Sequence, residues 1–327
     1  MYNYFLVFSY CITVFFASAQ QEAAPIRLNL TIGNEYYQVI KNESSVNQLM
    51  KGQELVMKTI YTSSLVYIPT VYQNGVYDMD VYYNDMSMYM DDGTTLIQSQ
   101  TIENYIPVAV KIDELDQKEL ANELYSVIFS SILNKKFHIK MSEYGEIIAV
   151  SGYSDIYNGL ATILSELPED TRNNLINEML SKYGEEQLKA LMSNGRHIYS
   201  KKPVKVKDKW SAEYQDNSGY SKKVKVSYEL DFVNNKSYMI KCTGSTATPS
   251  KGSKTLFSGI TYNYFLKGVI TGTVNLDKES GWPVLVENTT LQEGYYNVLN
   301  SDYFRPKEKI QLSSVTKNTI SKNRQKN

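Results

Sequence analysis

Histidine, cysteine and tryptophan each occur only twice in 327 residues, and those scarcities close off more chemistry than any motif opens. A metal site needs His, Cys and carboxylates clustered at ligand spacing. His138, His197 and Cys242 stand far apart in the chain, so no zinc or other metal is expected. The acidic residues Asp78, Asp80 and Asp85, and the turn Asp91-Asp92-Gly93, lack the spacing of a calcium loop. Neither a Gly-x-Ser-x-Gly elbow nor a phosphate-cradling Gly-x-x-x-x-Gly-Lys loop is present. The chain therefore carries no catalytic constellation and calls for no cofactor. With 35 acidic residues, pairs able to hydrolyse a glycosidic bond arise by chance, so a hydrolase ranks last among the functional readings.

Charge of one sign is also missing. The 34 basic and 35 acidic residues leave a formal net charge of −1, so no overall field attracts nucleic acid. The local run Lys201, Lys202, Lys205, Lys207 and Lys209 alternates with Val204 and Val206. That is the pattern of a solvated sheet edge whose lysines discourage further pairing.

The first 19 residues contain no charged side chain at all. Their apolar runs, 5–8 and 12–16, end in Ala17-Ser18-Ala19, the small residues that a signal peptidase accepts. Residues 1–19 are read as a secretory signal peptide, although the usual lysine or arginine near the start is absent. The segment is too short and too rich in Ser and Thr for a stable membrane span. Cys11 lies inside the apolar run rather than after a small-residue pair, so the chain is not expected to be a lipoprotein. Clipping the leader leaves Cys242 alone and rules out an intramolecular disulfide. The expected location is the periplasm or the extracellular space.

Tyrosine is abundant, with 28 copies. Its apolar ring and polar tip suit half-buried sheet positions. The strongest alternation runs from Val76 to Met90. It puts Met79 and Val81 on one face with Asp78 and Asp80 opposite, then Met86, Met88 and Met90 on one face after Asn84-Asp85. The run reads as one strand with a bulge or two strands around a tight turn. Residues 26–32 alternate strictly and read as a first strand, and Asn74-Gly75 is a hairpin signal. From 112 to 134 the period changes to three and four, predicting an amphipathic helix from near Asp116 that carries Leu120, Leu124, Val127, Ile128 and Ile132. A hairpin over 137–150 and a helical block over 154–192 follow, and the remainder returns to strands.

The resulting expectation is α+β: a curved antiparallel β-sheet in two β-rich parts, packed around a central helical segment. The divisions are 1–19 signal peptide, 20–150 N-terminal β-rich part with one helix, 151–197 helical segment, 198–312 C-terminal β-rich part, and 313–327 flexible polar tail. Several of these features recur together elsewhere: Gly52-Gln53, the strand 77–81 followed by Met86-Ser87-Met88, the hairpin 137–141, the segments 183–189 and 202–210, and Gly281-Trp282. On them the chain resembles a family of exported proteins of unknown function found mostly in Bacteroidota. The resemblance covers nearly all of the mature chain, with Lys136 where a proline is frequent. It implies export and a shared fold, and it transfers no functional residue.

Two functional readings remain ahead of the hydrolase. The first is a non-enzymatic module that binds an apolar, lipid-like or peptide ligand in a groove between sheet and helices. Its candidate lining is Met79, Val81, Met86, Met88, Met90, Leu124 and Ile128, because unbranched thioethers repack around varied partners. The competing explanation for those methionines is plain core filling. The second reading is an envelope scaffold whose tyrosine-rich faces contact another protein. Expression in an exporting bacterial host should yield a polypeptide starting at Gln20 by intact mass; recovery of the uncut chain would remove the export reading.

Overall fold

The computed structural model describes residues 23, 25–50, 52–93, 96–100, 117–165, 167–169, 172–173, 176–177, 185, 189, 197–216, 221–249, 252–255, 261–300 and 309–322. The expected signal peptide and most of the expected helical stretch beyond 177 lie outside them. In chain order the elements are β1 (Tyr36–Met50), β2 (Gln53–Gln73), β3 (Val76–Asp91), β4 (Leu96–Gln100), α1 (Gln117–Ile132), β5 (Phe137–Ser142), β6 (Ile147–Ser151) and α2 (Ser154–Ile163). Then come β7 (Lys209–Asp216), β8 (Lys222–Val233), β9 (Ser237–Ala247), β10 (Gly252–Thr255), β11 (Thr261–Asp277), β12 (Pro283–Asn300) and β13 (Lys309–Ser321).

All thirteen strands belong to one sheet, ordered β6-β5-β3-β2-β1-β13-β12-β11-β9-β8-β7, with β4 on β3 and β10 on β11. Every pairing between named strands is antiparallel. This corrects the α+β expectation. The molecule is mostly β, and its two described helices cover one part of a single sheet rather than forming a centre around which two β parts pack. The missing piece was β13. Residues 313–321, expected as a flexible tail, instead lie mid-sheet, paired with β1 on one side and β12 on the other. Their Ser- and Thr-rich run has no apolar signature, but β-branched Val315, Thr316, Thr319 and Ile320 suit a strand once partners are supplied.

β3 settles the alternative left by its sequence. It is one strand, and the register against β2 jumps from Ser64↔Asp85 to Leu65↔Tyr83. Asn84 is thus the extra residue of a bulge, which keeps Met79, Val81 and Tyr83 on the same face as Met86 and Met88. Cross-strand partners share a face, so the inner face can be followed across the whole sheet. One apolar row runs Met86, Ser63, Ile40, Ile320, Val286, Val274, Ile240, Leu230. The next runs Met88, Tyr61, Asn42, Asn318, Asn288, Gly272, Cys242, Tyr228, Trp210.

The sheet is rolled. Met141 on β5 and Tyr228 on β8 are eight strand spacings apart in the sheet order, about 38 Å if flat, yet both line one cavity. Helices fill the part of the roll near β3 and β5: Phe129 of α1 meets Tyr61, and Tyr153 at the start of α2 meets Phe137 at 4.8 Å. Buried Val127, Ile128, Phe129, Ile132, Ile156 and Leu160 complete that core.

Residues 25–32 alternate as expected, with Ile26, Leu28 and Leu30 buried, but they form no strand of the sheet. They make an extended strap across one end of the roll. The Leu28 amide donates to the Glu143 carbonyl in the β5–β6 turn, and the Asn29 amide to the Ser280 carbonyl in the β11–β12 turn, both at 2.7 Å. Gly281 makes this possible. It holds φ +68, and a Cβ there would lie 2.0 Å from the Arg27 carbonyl oxygen. Gly33 has a similar φ of +81 with open space around it. Gly281→Ala should therefore lower stability by about 2–4 kcal/mol, combining backbone strain with displacement of the strap, while Gly33→Ala costs about 1–2 kcal/mol from strain alone. Urea midpoints of the two variants check this; equal losses would mean that the strap contact adds nothing.

Candidate functional site

The rolled sheet forms a partly open cavity of about 80 Å³ beside the strap. Space of that size admits roughly five to eight waters. The walls come from many elements: Leu28 of the strap, Ile40 of β1, Met141 of β5, Ile198 and Tyr199 of the segment leading to β7, Tyr228 of β8, Val274 of β11, Trp282 and Val286 at β12, and Ile320 of β13. The floor is polar, made by Gln38, Asn288 and Asn318. Among the described residues no charged side chain lines it.

Each wall group is held by the structure around it. Trp282, 2 % exposed, has its ring centroid 5.2 Å from both Tyr36, tilted to it, and Tyr67, edge-on to it, and its Nε1 donates to the Tyr37 carbonyl. Burying an indole of this size contributes about 4–6 kcal/mol by area. The Tyr199 hydroxyl donates to the Gly281 carbonyl at 3.0 Å. Burial raises the pKa of Tyr199 and of Tyr228 above the usual phenol value, so both wall hydroxyls stay neutral. The Gln38 carbonyl oxygen accepts from the Tyr67 hydroxyl at 2.9 Å.

The two asparagines differ. Oδ1 of Asn288 and Oδ1 of Asn318 are both shielded from solvent and have no hydrogen-bond partner among the described residues. They are adjacent in the cross-strand row, Asn288 opposite Asn318 and Asn318 opposite Asn42. Asn288 fits because its neighbour is Gly272: a Cβ at that glycine would lie 2.0 Å from Asn288 Oδ1. Next in the row is Cys242, buried and unbridged. Burial pushes its thiol up to about 11.

The residues expected to line a groove are placed elsewhere. Met79, Val81, Met86, Met88 and Ile128 are buried in the main core, where Met90 packs as a partly buried neighbour. Leu124 lies on α1, with its side chain outside the described residues. The face was read correctly, but α1 and α2 cover that part of it. The cavity uses the same face further along the sheet, where no helix sits among the described residues. Its asparagines carried a weak signal only: Asn288 falls in a part of the chain expected as strand, and Asn318 in the part expected as a polar tail.

Titratable groups outside the cavity have local partners. His138 Nδ1 lies 2.8 Å from Asp80, and Lys140 lies 2.6 Å from Asp78, each pair directly opposite on β3 and β5. Of the lysine run expected as a solvated edge strand only Lys209 lies in the edge strand β7, and residues 201–208 precede it without forming a strand; Lys209 meets Glu229 at 3.1 Å, while Lys207 pairs with Asp231. Hydrogen bonds from these lysines hold Glu229 and Asp231 below the usual carboxylate range. Such exposed pairs add little stability. His197 stacks on Tyr214, and its carbonyl accepts from Trp210 Nε1. Among the described residues no three His, Cys, Asp or Glu side chains are grouped to hold a metal ion, and no helix is long and apolar enough to cross a membrane.

Comparison with known proteins adds a family and little more. The model of the family of unknown function DUF6263 matches residues 74–283, and the chain belongs to that family. No curated protein matches. Among solved structures, one described as showing lipid–protein interactions in lipovitellin aligns over 91 % of this chain with 9 % identity and a TM-score of 0.39. The chain spans about a quarter of that protein's length, 26 %. An outer membrane channel from Pseudomonas putida F1 aligns over 90 % of this chain and 97 % of its own, at 5 % identity and TM-score 0.20. Salmonella typhi OmpF in complex with daunomycin aligns over 88 % and 98 %, at 7 % and 0.20. Likeness at these scores does not establish a common fold.

The Cys242 thiol gives a direct test of the packing around the row. A folded-state pKa above the unfolded value means that its contribution is fully present below about pH 9 and lost as pH rises through about 11. At about pH 8, reaction with an aromatic disulfide reagent should be at least about a hundredfold slower in the folded protein than in urea. Similar rates in both would show that the row is open to solvent.

Proposed function

We propose that this member of the DUF6263 family is an exported, non-enzymatic binding module that holds an apolar ligand against the inner face of its rolled sheet. The observation that carries the reading is the cavity beside the strap, whose apolar walls from six strands and two connecting segments meet a small uncharged polar floor. A cavity serving only as a packing defect needs no polar atoms, and buried polar groups without partners are uncommon in native structures. Apolar walls with a few placed polar groups are the usual composition of small-molecule sites.

The volume of about 80 Å³ fits a short chain, or one end of a longer molecule whose remainder leaves past the strap. The strap that bounds the cavity is itself part of the core, with Ile26, Leu28 and Leu30 buried and its Leu28 and Asn29 amides bonded to turns. Export to the periplasm or beyond rests on the uncharged leader and its Ala-Ser-Ala end.

A scaffold role has one observation of its own. On the outer face Val269, Leu291 and Val315 are cross-strand neighbours, exposed by 53 %, 49 % and 39 %. Such a row is small beside a stable interface, so the binding-module reading stands first.

Native mass spectrometry of protein taken from its own envelope should retain an uncharged apolar adduct that solvent extraction removes. Ile320→Trp, which places an indole in the cavity from a partly buried position, should abolish the adduct while thermal unfolding stays cooperative. Protein that carries no adduct, together with an Ile320→Trp variant as stable as the parent in the presence of apolar chains, would overturn the proposal.

A further inference from the structure

We propose that the outer face of β7, β8 and β9, near the strap end of the roll, is a docking surface for an anionic phospholipid bilayer, with Phe232 entering the headgroup layer inside a rim of lysines. The surface lies on the opposite side of the sheet from the cavity and does not depend on the cavity's role.

Charge is concentrated here although the whole chain is close to neutral. Residues 201–241 hold ten lysines against five acidic residues, a net +5, in a chain whose formal total is −1. On the sheet, outward positions carry Lys209 and Glu213 on β7, Lys223, Lys225, Glu229 and Asp231 on β8, and Lys241 on β9. With Lys207, five lysines share three carboxylates. Glu213 takes Lys223 and, at 3.3 Å, Lys225. Glu229 takes Lys209 at 3.1 Å and Lys207 at 3.6 Å. Asp231 takes Lys241 at 2.9 Å and also Lys207. Each of the three is engaged twice, and positive charge is left over. All five lysine side chains are more than half exposed. Exposed pairs of this kind are held weakly, so the ammonium groups can turn to phosphates with little loss.

Lys207 is placed by its backbone. It holds φ +75, a left-handed conformation that lysine rarely adopts, and its amide donates to the Leu230 carbonyl at 2.7 Å. The turn around it is closed by the Lys205 amide on the Asp208 carboxylate at 3.0 Å, with Lys201, Lys202 and Lys205 exposed on the approach to β7.

The second observation is an aromatic ring in solvent. Leu230 and Ile240 are paired on the inner face, each 1 % exposed. Plain alternation from Leu230 would turn Phe232 inward as well. The register instead shifts between Leu230 and Phe232, and Phe232 stands opposite Met239, the outward neighbour of Ile240. A bulge re-aims side chains; this one sends a phenyl ring to the outer face, 53 % exposed. Asp231, the extra residue, gathers Lys207 and Lys241 beside it. The following turn adds exposed Lys236, whose carbonyl accepts from the Lys278 amide at 2.9 Å. That bond sets this end of β8 and β9 next to the β11–β12 turn held by the strap. A dissolved polyanion would use the lysines and leave the ring idle. A bilayer uses both: headgroup phosphates answer the lysines, and the interfacial layer takes up the aromatic side chain.

Co-sedimentation of the whole protein, recovered from an exporting host, with lipid vesicles tests the surface. At low salt, vesicles of equal phosphatidylglycerol and phosphatidylcholine should bind at least about tenfold more tightly than pure phosphatidylcholine, and raised salt should erase most of that preference. Lys209→Gln combined with Lys241→Gln should weaken binding to the mixed vesicles about fivefold or more. Phe232→Ser should also weaken it but keep the salt dependence. Phe232→Trp should add an emission component that moves to the blue when mixed vesicles are added. These substitutions fall at exposed side chains, and cooperative thermal unfolding of each variant checks that the fold is kept. Equal affinity for the two vesicle compositions, absence of binding to either, or an unmoved emission from Phe232→Trp would overturn the proposal. Capture by soluble polyphosphate without sedimentation on vesicles would overturn it too, and would assign the lysines to a dissolved polyanion.

Discussion

The pairing of β1 with β13 is the constraint on which the rest depends. It runs through eleven residue pairs, from Val39↔Ser321 to Leu49↔Gln311, and joins segments at opposite ends of the chain. Without it the β-rich parts before and after the helices would be two sheets with two pairs of edges. With it they are one surface, and the register fixes which side chains meet inside. A slip of one residue would turn Asn318 and Ile320 outward and bring Lys317 and Thr319 in. Apolar Ile320 between Ile40 and Val286 resists that slip on the inner side, and Lys317 beside Glu43 resists it on the outer.

Much of this architecture was legible, and the failures have physical reasons. The period-two run from Val76 to Met90 gave its strand and its inner face, since Met79, Val81, Met86 and Met88 are all buried. The change of period after 112 located α1, which begins at Gln117. Residues 26–32 show the limit of pattern: alternation reports that one side of an extended segment is buried, not that it has a strand beside it. The strap satisfies its amides on turns and on the Tyr77 hydroxyl instead. Residues 313–321 show the converse. Their neighbours Ser44, Thr290 and Asn288 are polar too, so the strand is held by its two flanking ladders and by position, neither of which leaves an apolar trace.

The site was less legible than the fold. Its lining spans Leu28 to Ile320, brought together by the rolling of the sheet and by nothing local. The methionine face lies on the inner side of the sheet, where the helices covering it make Met79, Met86 and Met88 part of the core. What distinguishes the cavity is an asparagine row in the middle of a buried face. Asn42, Asn288 and Asn318 sit at three sequence positions with no spacing relation, and only the β1–β13–β12 register aligns them.

That row is one of several local conflicts in the fold, since Ser63 Oγ, Ser130 Oγ and Thr246 Oγ1 are also shielded and without a hydrogen-bond partner among the described residues. Two unanswered carbonyls shielded from water cost on the order of 1–3 kcal/mol each, where Leu or Val in the same register would cost nothing. A domain of this kind is stable by only about 5–15 kcal/mol, so the conflict is a large fraction of the margin. The helix-covered side carries conflicts of the same kind, at Ser63 opposite Met86 and at Ser130 on α1. The strap closes one end of the roll as part of the fold: Ile26, Leu28 and Leu30 are buried in the main core, and the Leu28 and Asn29 amides tie it to the β5–β6 and β11–β12 turns.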